Sequence, residues 1–174
     1  MTTTPITPAA TGRREERDGS GYVVYTRTFR APIDDVWAAV TEPARLERWI
    51  GTWSGDPATG EVSFRMTAEG EDVPAEPYHI DVCEAPRRLV TRSWTADDPD
   101  TVWRLELDLA EADGVTTLTF AQAMHDPKMA ESVGPGWDYY LDRLVTAEAG
   151  GDVAAISFDD YYPRFADHYR GEFS

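Results

Sequence analysis

Three histidines, one cysteine and a dense set of carboxylates are the residues of this 174-residue chain whose types could do chemistry. A metal centre needs three or four ligands held close together. His79, His125 and His168 share no i, i+3 or i+4 spacing, and Cys83 has no cysteine partner. Strict alternation along Tyr78–Cys83 places His79 and Cys83 on one strand face, which makes two ligands rather than a site. No metal and no cofactor is predicted. Nucleophilic chemistry fares no better, because no serine sits in a Gly-x-Ser-x-Gly elbow. Gly51, Gly55 and Gly60 form neither a dinucleotide fingerprint nor a P-loop. The pairs Asp97-Asp98 and Asp159-Asp160 fall where turns and helix starts are expected, and Asp there caps or solvates. No catalytic residue is predicted.

Aromatic and aliphatic side chains remain, and the elements that carry them can be read from periodicity. Tyr22–Phe29 is β-branched and aromatic enough for a strand. Pro32 then opens a short helix, with Asp34 and Asp35 in its first turn and Ile33, Val36, Trp37 and Val40 on one stripe. Pro43 starts a second short helix through Leu46, Trp49 and Ile50. From about Thr52 to Met124 the period changes to two. Strands are expected near Trp53 and over 61–67, 78–83, 89–94, 103–109 and 115–124, with turns at Glu84-Ala85-Pro86 and Asp113-Gly114. A long amphipathic helix follows, with Pro135 in its opening. Trp137, Tyr140, Leu141, Leu144 and Val145 form one face, Asp138, Asp142 and Arg143 take the other, and Gly150-Gly151 stops it. Phe158, Tyr161, Tyr162, Phe165 and Tyr169 suggest a last aromatic helical segment, which folds back on the domain or, as the alternative, forms a dimer contact.

Composition sets the class. Ile, Leu, Val and Phe make up about 18% of the chain beside a net charge of −16, a balance that warns of disorder. Six Trp and eight Tyr answer the warning, since each aromatic buries roughly 150–250 Å². A pI near 4.4 argues against nucleic acid and anionic membranes as partners. No apolar run approaches the roughly 20 residues of a membrane span, no signal peptide is apparent, and the single cysteine forms no internal disulfide. A cytoplasmic protein is expected. Its organisation reads as a disordered N-terminal tail over 1–20, one folded domain over 21–151, and an aromatic helical extension over 152–174 packed on it.

A strand, two short helices, a long meander and one long helix make an α+β domain. The run Phe29–Trp37, then Thr41–Trp49, resembles the opening of bacterial homologues of the Hsp90-ATPase activator C-terminal domain. Gly134–Leu144 is similar to the start of that group's last helix, and Phe158–Pro163 to one subgroup's ending. The resemblance implies the helix-grip superfamily (START-like, birch-pollen-allergen-like). In that fold a curved antiparallel sheet, here of about six or seven strands, wraps around the long C-terminal helix, with two short helices after strand 1.

Such a sheet leaves an apolar cavity against its helix. Its expected walls are Phe64, Met66, Trp94, Trp103, Leu105, Phe120 and Met124 from the strands, facing Trp137, Tyr140, Leu141 and Leu144. His79, Arg92 and Gln122 are the polar handles, Arg92 to meet a carboxylate or hydroxyl. Core packing of the same aromatics, and a solvated strand face for Arg92, are the competing readings. The expected function is binding of a small apolar or aromatic ligand. The resemblance implies two alternatives, a polyketide cyclase or dehydratase-like enzyme using the same cavity and an Hsp90-type chaperone co-factor. The second is weakened because the eukaryotic activator's separate N-terminal domain has no counterpart here.

Overall fold

Asp18-Gly19 and Asp113-Gly114 both turn the chain with positive φ at the two central positions, 52° and 81° in the first, 53° and 77° in the second. That backbone suits a two-residue hairpin, and Asp-Gly adopts it readily. The second hairpin is the expected one. The first converts part of the expected tail into a strand, β1 (Arg13–Arg17), paired antiparallel with β2 (Ser20–Phe29). Its sequence, RREER, is polar because the strand lies at the sheet edge, where charge on side chains protects an exposed ladder. The computed structural model describes residues 6–70, 72–95 and 98–174; Asp97 of the Asp97-Asp98 pair and the start of the expected tail, residues 1–5, lie outside them.

Six further strands follow: β3 (Thr52–Ser54), β4 (Glu61–Arg65), β5 (Glu76–Glu84), β6 (Arg88–Thr95), β7 (Asp98–Ala112) and β8 (Val115–Ala123). Together the strands form one antiparallel sheet in the order β1-β2-β8-β7-β6-β5-β4-β3, eight strands where six or seven were expected. The helices are α1 (Ile33–Thr41), α2 (Pro43–Leu46), α3 (Ala130–Glu148) and α4 (Ala166–Glu172). The chain divides into two compact units, one contiguous over Thr28–Phe120, the other joining Met1–Arg27 to Ala121–Ser174.

Within 28–120 the two short helices are fastened by side chains rather than by length. Glu111 accepts the Ile33 N–H at 2.6 Å, satisfying one of the orphan donors at the start of α1. The Trp49 indole donates to the Ala39 carbonyl and the Trp53 indole to that of Thr41. Gly51 is required by contact, since a Cβ there would lie 2.1 Å from the Arg65 carbonyl oxygen. Val36, Val40, Leu46, Ile50, Leu107 and Leu118 are buried in this unit.

In the discontinuous unit α3 begins at Ala130, earlier than Pro135 suggested, and Gly150 with φ 75° ends it. The C-terminal segment folds back, with α4 against α3 and β1. Tyr161 and Tyr169 are buried, whereas Phe158 and Tyr162 stack on each other and stay exposed. Tyr169 is seated between two glycines: a Cβ on Gly12 or on Gly134 would come within 2.7 Å of its ring. Gly134→Ala is therefore expected to destabilise the protein by roughly 1–3 kcal/mol through overpacking. Thermal unfolding should show a Tm lower by about 2–4 °C per kcal/mol, with Gly136→Ala, where a Cβ would meet nothing within 4 Å, as the control.

Candidate functional site

One row of cross-strand neighbours sets up the candidate site. Val62 on β4 pairs with Tyr78 on β5, Tyr78 with Ser93 on β6, and Ser93 with Trp103 on β7. Directly paired residues share a face of the sheet, so these four side chains line up across it. The next rung adds Phe64 opposite Glu76. Phe64 and Tyr78 stack with centroids 4.9 Å apart. Above this row opens a cavity of about 230 Å³, smaller than the roughly 300–1,000 Å³ of sites for drug-sized ligands. Phe64, Tyr78, Ser93 and Trp103 form its floor, while Met66, Glu69, Val73 and Pro74 from the β4–β5 connection and Glu76 at the start of β5 border it.

Trp94 also lines the cavity although it follows Ser93 directly. The β6–β7 register shifts beside it, between Ser93 and Thr95, but the Trp94 ring stays on the face of His79 and Arg92. His79, opposite Arg92 on the other face of the sheet, stacks on the Trp94 indole at 4.4 Å between centroids and does not line the cavity. Tyr78 titrates above its ordinary range because burial disfavours the phenolate, and the negative fields of Glu76 and Glu69 add to this; a hydrogen bond with Ser93 pulls the other way. The phenol is therefore a neutral hydrogen-bonding group at neutral pH.

Of the expected wall residues, the structure brings Phe64, Met66, Trp94 and Trp103 together. Leu105, Phe120, Met124, Leu141 and Leu144 are buried core residues that do not border this cavity. Trp137 and Tyr140 meet edge to face, and the Trp137 indole donates to Gln122 Oε1. Gln122 is fully buried and its Nε2 has no partner among the described residues. Arg92 stands on the sheet face opposite Ser93, where Asp81 holds its guanidinium at 2.5 Å. Asp81 also pairs with Arg104, Arg104 with Glu106, and Arg88 with Glu106 and Asp108, a ladder of charges on the outer face. His79 and Cys83 do not share a face: the register shifts between Ile80 and Val82, so His79 is opposite Arg92 while Cys83 is opposite Leu89. Among the described residues no group of three His, Cys, Asp or Glu could hold a metal ion.

A second set of titratable groups lies in the discontinuous unit, where the expected polar side of α3 proves buried. Gly134, Asp138 and Asp142 follow at i, i+4, i+8 beneath the C-terminal segment. Asp138 accepts from Thr11 and from the Tyr169 hydroxyl, Asp142 from the Tyr161 hydroxyl at 2.7 Å. The Arg27 guanidinium reaches both carboxylates, at 3.3 and 3.2 Å. Tyr25 donates to the Gly134 carbonyl. Burial raises both carboxyl pKa values; the hydrogen bonds and Arg27 oppose it only in part. Tyr25, Tyr161 and Tyr169 are raised as well, chiefly by burial and then by their charged neighbours. All five ionisable groups around Arg27 are occupied with one another, which makes this a structural clasp.

Residues 30–148 match the protein family described as Activator of Hsp90 ATPase homolog 1-like protein, and the chain belongs to this family. Its fold is the helix-grip fold. No curated protein matches the chain. Among solved structures it is similar to CalU16 from Micromonospora echinospora, with 25% identity, a TM-score of 0.70, and coverage of 94% of this chain and 96% of that one. The protein encoded by gene BPP1335 from Bordetella parapertussis shares the fold at 20% identity and a TM-score of 0.67, covering 99% and 94%. DynU16, from the dynemicin biosynthetic locus, shares it at 22% identity and a TM-score of 0.56, covering 76% of this chain and 49% of that one. Among the described residues no helix is long and apolar enough to cross a membrane.

The clasp predicts an unusual pH response. A carboxyl whose folded pKa is raised holds its proton more tightly in the folded chain, so its stabilising contribution is full at low pH and is lost as pH rises through the folded value. Arg27→Met leaves two buried carboxylates without their cation and should cost about 3–5 kcal/mol at pH 7. The deficit should shrink as pH falls toward the ordinary Asp value of about 3.9, since both carboxyls then become neutral. Urea unfolding of both proteins between pH 7 and 4.5 measures the difference; a deficit independent of pH would contradict this account.

Proposed function

We propose that the protein binds a small ligand with an apolar or aromatic body in the cavity above the Val62–Tyr78–Ser93–Trp103 row. The single observation behind this reading is a half-open cavity of about 230 Å³ lined by Phe64, Met66, Tyr78, Trp94 and Trp103. Aromatic walls give a flat guest stacking and edge contacts beyond simple area burial. The volume suits a guest of one or two rings. The Tyr78 and Ser93 hydroxyls supply the few polar groups that orient a guest in such a pocket. Membership of a helix-grip family supports a ligand-binding role, and the register described above supplies its walls.

Thermal shift with naphthalene, indole and biphenyl as probes tests the reading. At one hundred times its dissociation constant a probe stabilises the folded chain by about 2.7 kcal/mol, or roughly 5–10 °C in Tm for a protein of this size. Trp103→Ala is expected to weaken that probe by at least about tenfold while the empty variant still unfolds cooperatively. The absence of a saturable shift with all three probes would reject the proposal.

A further inference from the structure

The cavity is apolar in its walls and anionic in its charge. Glu69 and Glu76 border it, and among its described lining residues none is basic. Glu76 is half-buried and stands directly opposite Phe64 in the β4–β5 pairing, so its carboxylate and that ring share one face of the sheet. Tyr78, two residues further along β5, falls on the same face as Glu76 and stacks on Phe64. An aromatic face carries negative potential from its quadrupole, and a cation within about 6 Å of the ring centre is attracted to it. Trp, the best such face, lines the cavity as Trp103, whereas a face of Trp94 is taken by His79. A net charge of −16 adds a long-range field that concentrates cations near the surface.

We infer that the ligand carries a positive charge, as a small amine or quaternary ammonium attached to an apolar or aromatic body. The inference rests on the binding reading given above and narrows it. A neutral guest would leave Glu76 desolvated without compensation, and an anionic guest would be repelled by both carboxylates. A cation near Glu76 and Glu69 gains both partners while its apolar part stays among the rings.

The test uses three probes of one shape: (2-phenylethyl)trimethylammonium, its uncharged carbon analogue (3,3-dimethylbutyl)benzene, and 3-phenylpropanoate, each titrated against the whole protein by tryptophan fluorescence and calorimetry. The cation should bind the wild-type protein at least about tenfold more tightly than the uncharged analogue, with 3-phenylpropanoate weakest. The preference should narrow as salt rises from about 10 to 300 mM, because partly exposed charges are screened. The double variant Glu69→Gln, Glu76→Gln should lose most of that preference, by binding the cation more weakly and the uncharged analogue no less tightly than wild type. The comparison on wild-type protein stands even if the double variant fails to fold. Equal or better binding of the uncharged analogue or of 3-phenylpropanoate overturns the charge inference and leaves the binding proposal intact. Failure of all three to bind overturns both.

Discussion

Backbone pairing along one row of the sheet decides what the cavity can hold. Tyr78 faces the same side as Ser93, and Ser93 the same side as Trp103, only because β5, β6 and β7 meet in that register. A slip of one residue between β5 and β6 would carry His79 and its neighbours to the cavity side and send Tyr78 to the charged outer face. Two irregularities refine the arrangement. The shift at Asp81 parts His79 from Cys83, and the β6–β7 register shifts again between Ser93 and Thr95, beside Trp94. The ion-pair ladder across Asp81, Arg92, Arg104, Glu106, Arg88 and Asp108 occupies the outer face of these same strands. Arg88, Arg92, Arg104 and their carboxylate partners thus share one face, while Phe64, Tyr78 and Trp103 share the other.

The clasp about Arg27 works by a different balance. Two carboxylates on one face of α3 would be costly to bury alone, and a single guanidinium does not neutralise both. Hydroxyls from Thr11, Tyr161 and Tyr169 complete their coordination, so three segments distant in sequence must all be in place before the pair is satisfied. The same tyrosine ring that donates to Asp138 is the one seated between Gly12 and Gly134. Polar satisfaction and close packing therefore converge on Tyr169.

Much of the fold was legible because period-two segments, proline-led helix starts and the Asp113-Gly114 turn are local signals. Asp18-Gly19 carries the same turn signal, but RREER lacks an apolar face and by composition alone belongs to a tail; turn chemistry outweighs composition there. Amphipathicity sees one apolar stripe and leaves Asp138 and Asp142 to the other face, whereas α3 buries a second stripe beneath the C-terminal segment. Of the residues that line the cavity, the strand pattern pointed to Phe64, Met66, Trp94 and Trp103. It missed Tyr78, Ser93 and Glu76, which join them through cross-strand register, and Val73 and Pro74, which lie in a connection that reads as a plain turn. Register depends on the pairing of distant strands, and no single segment encodes it.

The contacts of Thr11, Gly12 and Arg14 with Asp138, Tyr169 and Glu172 join positions up to 158 residues apart. During synthesis, residues 28–120 can complete their own unit once they have emerged, for every strand pairing that frames the cavity lies within that stretch. The other unit must wait. Its N-terminal hairpin is made before residues 28–120 and its partner helix after them, and closing so long a loop costs entropy that local structure cannot offset in advance. Assembly of this protein is therefore ordered by its topology: the cavity-bearing sheet forms early, and Tyr169 locks the remainder only after translation has passed it.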